Sequence, residues 1–334
     1  MNQQPARAAR VSVVIPAYCT SADIPVALDS VFAQTFSDFE VIVVNDGSPD
    51  TPDLERALQP YASRIRYIAF AMNRGAGAAR NAAILASRGV YLAFLDADDC
   101  WSPDFLWRQV RHLEAQPACD MVYCDAILSG ETPLAGRRFM DAAPSEGEVS
   151  LLSLIEQRCN IILSTVVARR NTIVNGGLFD ETLRRGQDFE LWLRLAHAGA
   201  RIEYQRHVLA ERRVRLHGLS GDSVAELERA IAVLKQFAGG RELDHEMCTV
   251  LRIRLMTLVD QLEIEQGKQR ILEGNFAAAE HHLSNSRRQT LKLRAVRLAL
   301  KLAPEVVRAA YSRRLTASRS GYQCARHAVT LPLQ

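Results

Sequence analysis

Val90-Tyr91-Leu92-Ala93-Phe94-Leu95-Asp96-Ala97-Asp98-Asp99 joins an unbroken apolar run to three carboxylates within four positions. A short apolar run closed by a polar cluster has the composition of a strand buried on both faces, as in a parallel sheet covered by helices. Three earlier segments repeat the pattern. Val11-Ser-Val-Val-Ile15 ends at Pro16, Val41-Ile-Val-Val44 runs into Asn45-Asp46-Gly47, and Arg66-Tyr-Ile-Ala-Phe70 precedes Asn73-Arg74-Gly75. Between them, residues 24–34 place Ile24, Leu28, Val31 and Phe32 on one helical stripe. Residues 52–61 do the same with Leu54, Leu58 and Tyr61, and residues 76–87 are rich in Ala, a strong helix former. Alternating strands and helices predict an α/β layer fold whose ligands bind beyond the carboxyl ends of the strands. Every polar cluster just named falls at such an end.

The pattern loosens over 120–220. Met121 to Cys124 reads as a strand, 130–150 as a loop rich in Gly, Pro and Ser, and 151–170 as a helix followed by a strand from Ser164 to Ala168. Asp188 to Ala198 has helical spacing. From Val224 onward nearly everything reads as helix, and Gly267 to Leu283 resembles one helical hairpin with no second copy at a fixed period. The expected organisation is a tail over 1–10, an α/β domain over 11–222 and an all-helical C-terminal region over 223–334.

A chain of 334 residues, 48% hydrophobic and 24% charged, is neither disordered nor a small disulfide scaffold. Its longest charge-free stretch, Val11 to Ala22, falls short of the roughly 20 apolar residues that cross a bilayer. The first ten residues lack the apolar core of a secretory signal, so a cytoplasmic location is expected. Seven cysteines with no CxxC pair read as reduced structural thiols. The net charge of +3 conceals an asymmetry: Arg287 to Arg326 holds eleven Lys and Arg against Glu305 alone, leaving −7 for the remainder. That tail sets Leu291, Leu293, Val296, Leu298, Leu300 and Leu302 among its basic residues. It reads either as a helix on an anionic membrane surface at the inner face of the cell membrane or as a solvated face packed on the body. Only Tyr311 and Tyr322 interleave with the charges, which argues against nucleic acid as a partner.

Candidate chemistry centres on the acidic cluster. Three neighbouring carboxylates repel one another unless water or a cation satisfies them, and hard oxygen ligands suit Mg²⁺ or Mn²⁺. The same residues also fit a solvated turn that caps the helix starting near Ser102. Asn45-Asp46-Gly47-Ser48 is a turn signal that can equally present an acceptor to a base or ribose. Gly75-x-Gly77 resembles a dinucleotide fingerprint, but Arg80 occupies the third glycine position, where it would meet a phosphate. Asp188 fits either a helix N-terminus or a general base, Trp192 either core packing or a platform for a sugar ring, and His217 either a structural loop residue or a ligand.

Taken together, the motifs resemble the family 2 glycosyltransferases, inverting enzymes of the GT-A fold. The resemblance rests on Val13-Val-Ile-Pro16-Ala17-Tyr18, on Gln34-Thr35-Phe36-Ser37-Asp38-Phe39-Glu40 through Ser48, on Asn73 to Asn81, on Asp96 to Asp99 and on Gln187 to Leu195. It implies a GT-A sheet over 11–222 and a nucleotide-diphosphate sugar donor held by Pro16, Ala17, Tyr18, Asp46, Arg80, Asp96 and Asp98. It further implies Mg²⁺ or Mn²⁺ on Asp98, Asp99 and His217, Asp188 as catalytic base, and Trp192 on the acceptor side. Cys19, Asn45 and Gln187 depart from the family's Asn, Asp and Glu. Processive members carry Q-x-x-R-W, and none of Trp101, Trp107 and Trp192 stands in that context, so single addition to a saccharide or lipid-linked acceptor in surface-polysaccharide assembly is implied. The alternative is a degenerate GT-A protein whose helical region docks partners.

Overall fold

The computed structural model describes residues 9–215, 223–287 and 290–313. The expected boundary at 222, His217, most of the N-terminal tail and much of the basic segment 287–326 lie outside the described residues. Contacts divide the chain into two compact units, Met1–Ser129 with Gly136–Arg213, and Gly130–Ala135 with Val214–Gln334.

The first unit starts with the alternation that the sequence predicts: β1 (Val11–Ala17), α1 (Ile24–Phe32), β2 (Phe39–Asn45), α2 (Thr51–Leu58), β3 (Ile65–Ala69), α3 (Ala76–Ala86) and β4 (Tyr91–Phe94). β1, β2 and β4 are almost wholly buried, which is why their Val and Ile runs do not alternate with polar residues. β3, β2, β1 and β4 lie side by side in parallel. Val13 sits opposite both Val41 and Ala93, and Ala17 opposite Asn45. That register sends the chain out of β1, β2 and β4 at one edge of the sheet, so the polar clusters after Ala17, Asn45 and Phe94 share it.

Beyond β4 the chain forms β5 (Cys100–Trp101), α4 (Phe105–Ala115), β6 (Met121–Gly130), α5 (Phe139–Ala142) and α6 (Leu151–Ile155). It continues through β7 (Val166–Arg169), α7 (Arg170–Asn175), α8 (Gln187–His197) and β8 (Ile202–Val214). The eight-stranded sheet runs β3-β2-β1-β4-β7-β6-β8-β5, and β7 is antiparallel to both β4 and β6. The segment 130–150 is more ordered than its composition predicts. Asp125, fully buried, accepts hydrogen bonds from Arg138 Nε at 2.8 Å and Met140 N at 3.1 Å and so pins α5 against β6.

The second unit is helical, as expected: α9 (Ser223–Gly239), α10 (His245–Leu272), α11 (Phe276–Asn285), α12 (Leu291–Leu302) and a further helical run over 304–313. Asp244, Asn275 and Thr290 each accept a backbone N–H from the first turn of the helix they precede, three N-caps that set the starts of α10, α11 and α12. The hairpin foreseen over 267–283 is present. α10 and α11 meet where Gly267 lies under Leu283, close enough that a Cβ on residue 267 would fall 2.6 Å from Leu283 Cδ2. Ile271, Ala279, Leu283, Leu293, Leu300 and Val307 form the core of this unit. Among the described residues no helix is long and apolar enough to cross a membrane. Gly267→Val forces α10 and α11 apart, and an overpacking cost of about 1–3 kcal/mol is expected. Urea denaturation followed by circular dichroism measures it.

Candidate active site

The end of β2 is built around two buried polar side chains. Asn45 donates from Nδ2 to Thr51 Oγ1 at 2.8 Å and Tyr67 OH at 2.9 Å, and its Oδ1 accepts from Ser48 N at 2.9 Å. Its amide donates and accepts at once, which a carboxylate would not do here. Asp46 is 2% exposed, and its carboxylate accepts from Asn73 Nδ2 at 3.0 Å, Arg74 N at 2.7 Å and Gly75 N at 2.9 Å. Asp46, expected to face a base or ribose, fastens the 73–75 turn to the strand end through these three bonds. Gly47 makes the approach possible. Its φ is +62°, and a Cβ there would lie 2.2 Å from the carbonyl carbon of Met72.

At the end of β1, Ala17 is buried and its carbonyl accepts from Asp46 N at 2.9 Å, whereas Tyr18 is 47% exposed. Pro16 is half-buried beside them. Of the three, the Tyr18 ring is the side chain presented at the sheet edge.

α3 carries the next two anchors on adjacent residues. Arg80, nearly buried, donates from Nη2 to Asp96 Oδ1 at 2.6 Å, while its Nε finds no partner. Asn81 clamps the backbone of Phe179, donating from Nδ2 to the carbonyl at 2.8 Å and accepting the N–H at 2.9 Å. The loop held this way leads into α8, whose Gln187 Cγ would lie 3.4 Å from a Cβ on Gly77 in the first turn of α3. The start of α8, which carries Asp188, is therefore packed on the start of α3. Gly186 at φ +77° turns the chain into α8, and Asp188 is half-buried in its first turn.

In the acidic cluster Asp96 is tied to Arg80, and its N–H donates to Ser164 Oγ at 3.1 Å. Asp99 is buried and accepts from Arg213 N at 2.8 Å. Burial, with Asp96 and Asp98 adding like charge, pushes its carboxyl up to about 8, against the lowering effect of the Ser164 and Arg213 bonds. Among the described residues, the one trio of His, Cys, Asp or Glu ligand atoms within 4.8 Å of one another is His112, Cys119 and Glu203, not the acidic cluster.

Residues 12–164 match the model of Glycosyl transferase family 2. The chain carries a family 2 glycosyltransferase domain. Over 228 residues it is 28% identical to the UDP-Glc:alpha-D-GlcNAc-diphosphoundecaprenol beta-1,3-glucosyltransferase WfaP of Escherichia coli, covering 67% of this chain and 85% of that protein. Its fold is similar to that of S. aureus TarS 1–349 in complex with UDP-GlcNAc, with a TM-score of 0.60 and 17% identity over 97% of this chain and 94% of that one. It is likewise similar to the mannosyltransferase PcManGT of Pyrobaculum calidifontis in complex with GDP-Man and Mn²⁺, with a TM-score of 0.60 and 18% identity over 96% and 87%. The expected GT-A architecture with C-terminal helices is therefore what the chain adopts.

Asp188 and Trp192 lie beyond the matched span of this glycosyltransferase domain. Trp192 is 1% exposed, so the ring offered as a sugar platform is core: the i, i+4 stripe of Leu191 and Leu195 carries it inward. Sequence reasoning missed Ser164, which contacts both Asp96 and Asp99, and Arg213, whose Nη1 also meets Asp23 Oδ1 at 2.7 Å. It also gave Asn81 no role, although Ala79-Arg80-Asn81 was part of the matched motif.

Two outcomes follow from this geometry. Asn81→Ala leaves a buried N–H and C=O of Phe179 unpaired and is expected to cost about 2 kcal/mol or more in urea unfolding. Asp99→Asn removes a buried carboxyl whose ionisation the fold opposes. It is expected to raise the thermal midpoint of the free protein while abolishing any shift produced by Mn²⁺ with a nucleotide, both read by differential scanning fluorimetry.

Proposed function

We propose that this glycosyltransferase is a non-processive, inverting enzyme. It moves a sugar from a nucleotide-diphosphate donor to a hydroxyl of a lipid-linked or saccharide acceptor in surface-polysaccharide assembly. The observation that carries the reading is the shared sheet edge. There the acidic cluster after β4, the Asp46-held turn after β2 and the exposed Tyr18 after β1 adjoin the helix pair α3 and α8. Donor complexes of TarS and PcManGT and the undecaprenol-linked acceptor in the name of WfaP support the substrate classes.

The base and ribose lie against Pro16, Ala17 and Tyr18, with Asp46 acting through the turn it holds. Asp96 and Asp98 receive the ribose and diphosphate side, and Arg80 fixes the position of Asp96. The donor set also fits a hard divalent cation, Mg²⁺ or Mn²⁺. Asp99 is a buried carboxyl crowded by two others, and such sites use one or two carboxylates with phosphate oxygens completing the shell. Asp98 and Asp99 would hold the ion. His217, outside the described residues, is a further proposed ligand from the resemblance alone. A bound cation supplies Lewis-acid stabilisation of the charge left on the departing diphosphate.

Asp188 takes the proton of the acceptor hydroxyl. That oxygen bonds to the anomeric carbon from the face opposite the diphosphate, the bond from carbon to diphosphate oxygen breaks with its electron pair, and the configuration inverts. A positioned base of this kind contributes about 10²–10⁴-fold. Asp188→Asn is therefore expected to lose about that factor in transfer while nucleotide affinity, measured by calorimetry, stays unchanged. Near-normal turnover removes Asp188 from the mechanism. A panel of nucleotide sugars screened for thermal stabilisation with Mn²⁺ or Mg²⁺ identifies the donor, a ligand at 100 times its dissociation constant adding about 2.7 kcal/mol.

A further inference from the structure

α12 has two apolar faces, and only one of them is used. Leu293 and Leu300 point into the core of the second unit with Ile271, Ala279 and Leu283, and Val307 continues that line in the next helical run. Leu291, Leu298, Leu302 and Val306 are instead 85%, 59%, 77% and 68% exposed. Leu291 and Leu302 are more exposed than any other large apolar side chain among the described residues. At about 100° per residue, Leu291, Leu298 and Leu302 fall within a band about 40° wide, opposite Leu293 and Leu300. Arg294 and Lys301 border that band on one side and Lys292 on the other, all three exposed.

The charge around the band has one sign. Residues 290–313 contain Lys292, Arg294, Arg297, Lys301, Arg308 and Arg313 against Glu305 alone, and Glu305 is paired with Arg308 at 3.1 Å. Arg297 and Lys301 both reach Glu280, at 2.8 and 3.6 Å, which leaves the outward border to Lys292 and Arg294. An apolar stripe rimmed by long basic side chains is the arrangement of a helix lying in a membrane interface. The leucines enter the acyl boundary, while the ammonium and guanidinium groups extend to the headgroups. A second copy of this chain would bring the same basic borders together, and like charges across an interface oppose pairing. An anionic surface complements them.

We propose that the second unit seats on an anionic lipid bilayer through the face formed by Leu291, Leu298, Leu302 and Val306, with Lys292 and Arg294 at the headgroup level. The attachment is independent of sugar transfer, so it stands or falls without the reading of the catalytic site.

The test is co-sedimentation of the full chain with vesicles of phosphatidylcholine alone or mixed with phosphatidylglycerol. The wild-type protein is expected to pellet with the phosphatidylglycerol vesicles, and to be released by raised salt. The double variant Leu298→Asp/Leu302→Asp is expected to lose binding about tenfold or more with an unchanged circular dichroism spectrum and thermal midpoint. Lys292→Glu/Arg294→Glu is expected to weaken binding by a similar factor and to flatten its salt dependence. Equal pelleting of the double aspartate variant and the wild type overturns the proposal. So does a dimer in sedimentation equilibrium that the same variant splits while vesicle binding is absent, since that result assigns the face to a second copy.

Discussion

Two neighbouring side chains on α3 join parts of the first unit that are distant in sequence. Arg80 reaches the acidic end of β4 and Asn81 the backbone of Phe179, sixteen and ninety-eight residues away. Both are nearly buried, so neither is easily replaced by water, and each leaves a costly orphan if its partner moves. Because the two bonds spring from consecutive positions on one helix, the acidic cluster and the loop entering α8 are located relative to each other by a single rigid element. The proposed catalytic base Asp188 and the proposed donor-binding end of β4 need that kind of mutual placement, since misplacement by about 1 Å can cost 10²-fold in rate.

The acidic cluster itself runs against stability. Asp99 is buried beside two other carboxylates, and the fold meets it with the Arg213 backbone N–H and the Ser164 hydroxyl. Arg80 pairs with Asp96. A structure selected only for stability would replace this arrangement with apolar or neutral residues, and the proposed cation and diphosphate would offset its cost. The same contrast explains the neighbouring turn. Asp46 is supplied with three neutral donors, and these bonds set the shape of the 73–75 backbone.

What was legible in the sequence follows from which forces leave a local trace. Strands buried on both faces must be continuously apolar, so β1, β2 and β4 and the polar exits after them stood out, and with them the edge where the site lies. β8 did not. Its thirteen residues include Glu203, Arg206, His207, Glu211, Arg212 and Arg213, and only Ile202, Leu209 and Ala210 are buried, so no period of two survives. Side-chain roles set by distant partners were equally hidden. Nothing local distinguishes an Asp46 that binds a ligand from one that binds Arg74 and Gly75, or a Trp192 on the surface from one in the core. Asp99 could be named from its motif, but its bonds to Ser164 and Arg213 join segments that only the fold brings together.

The helical unit shows the converse case, in which a sequence pattern is fully visible yet ambiguous until burial resolves it. Leucines at 291, 293, 298, 300 and 302 are too many for one face of a single helix, and periodicity alone does not say which of them are covered. The structure divides them. Positions 293 and 300 follow a seven-residue spacing that meets Ile271 and Leu283, whereas 291, 298 and 302 are left in solvent beside Lys292, Arg294 and Lys301. A second apolar face carries a solvation cost of about 25 cal/mol per Å² that the described residues do not recover. Its place beside Lys292 and Arg294, in a chain whose remainder is acidic, is the pattern expected when the proposed cover is an extended anionic surface.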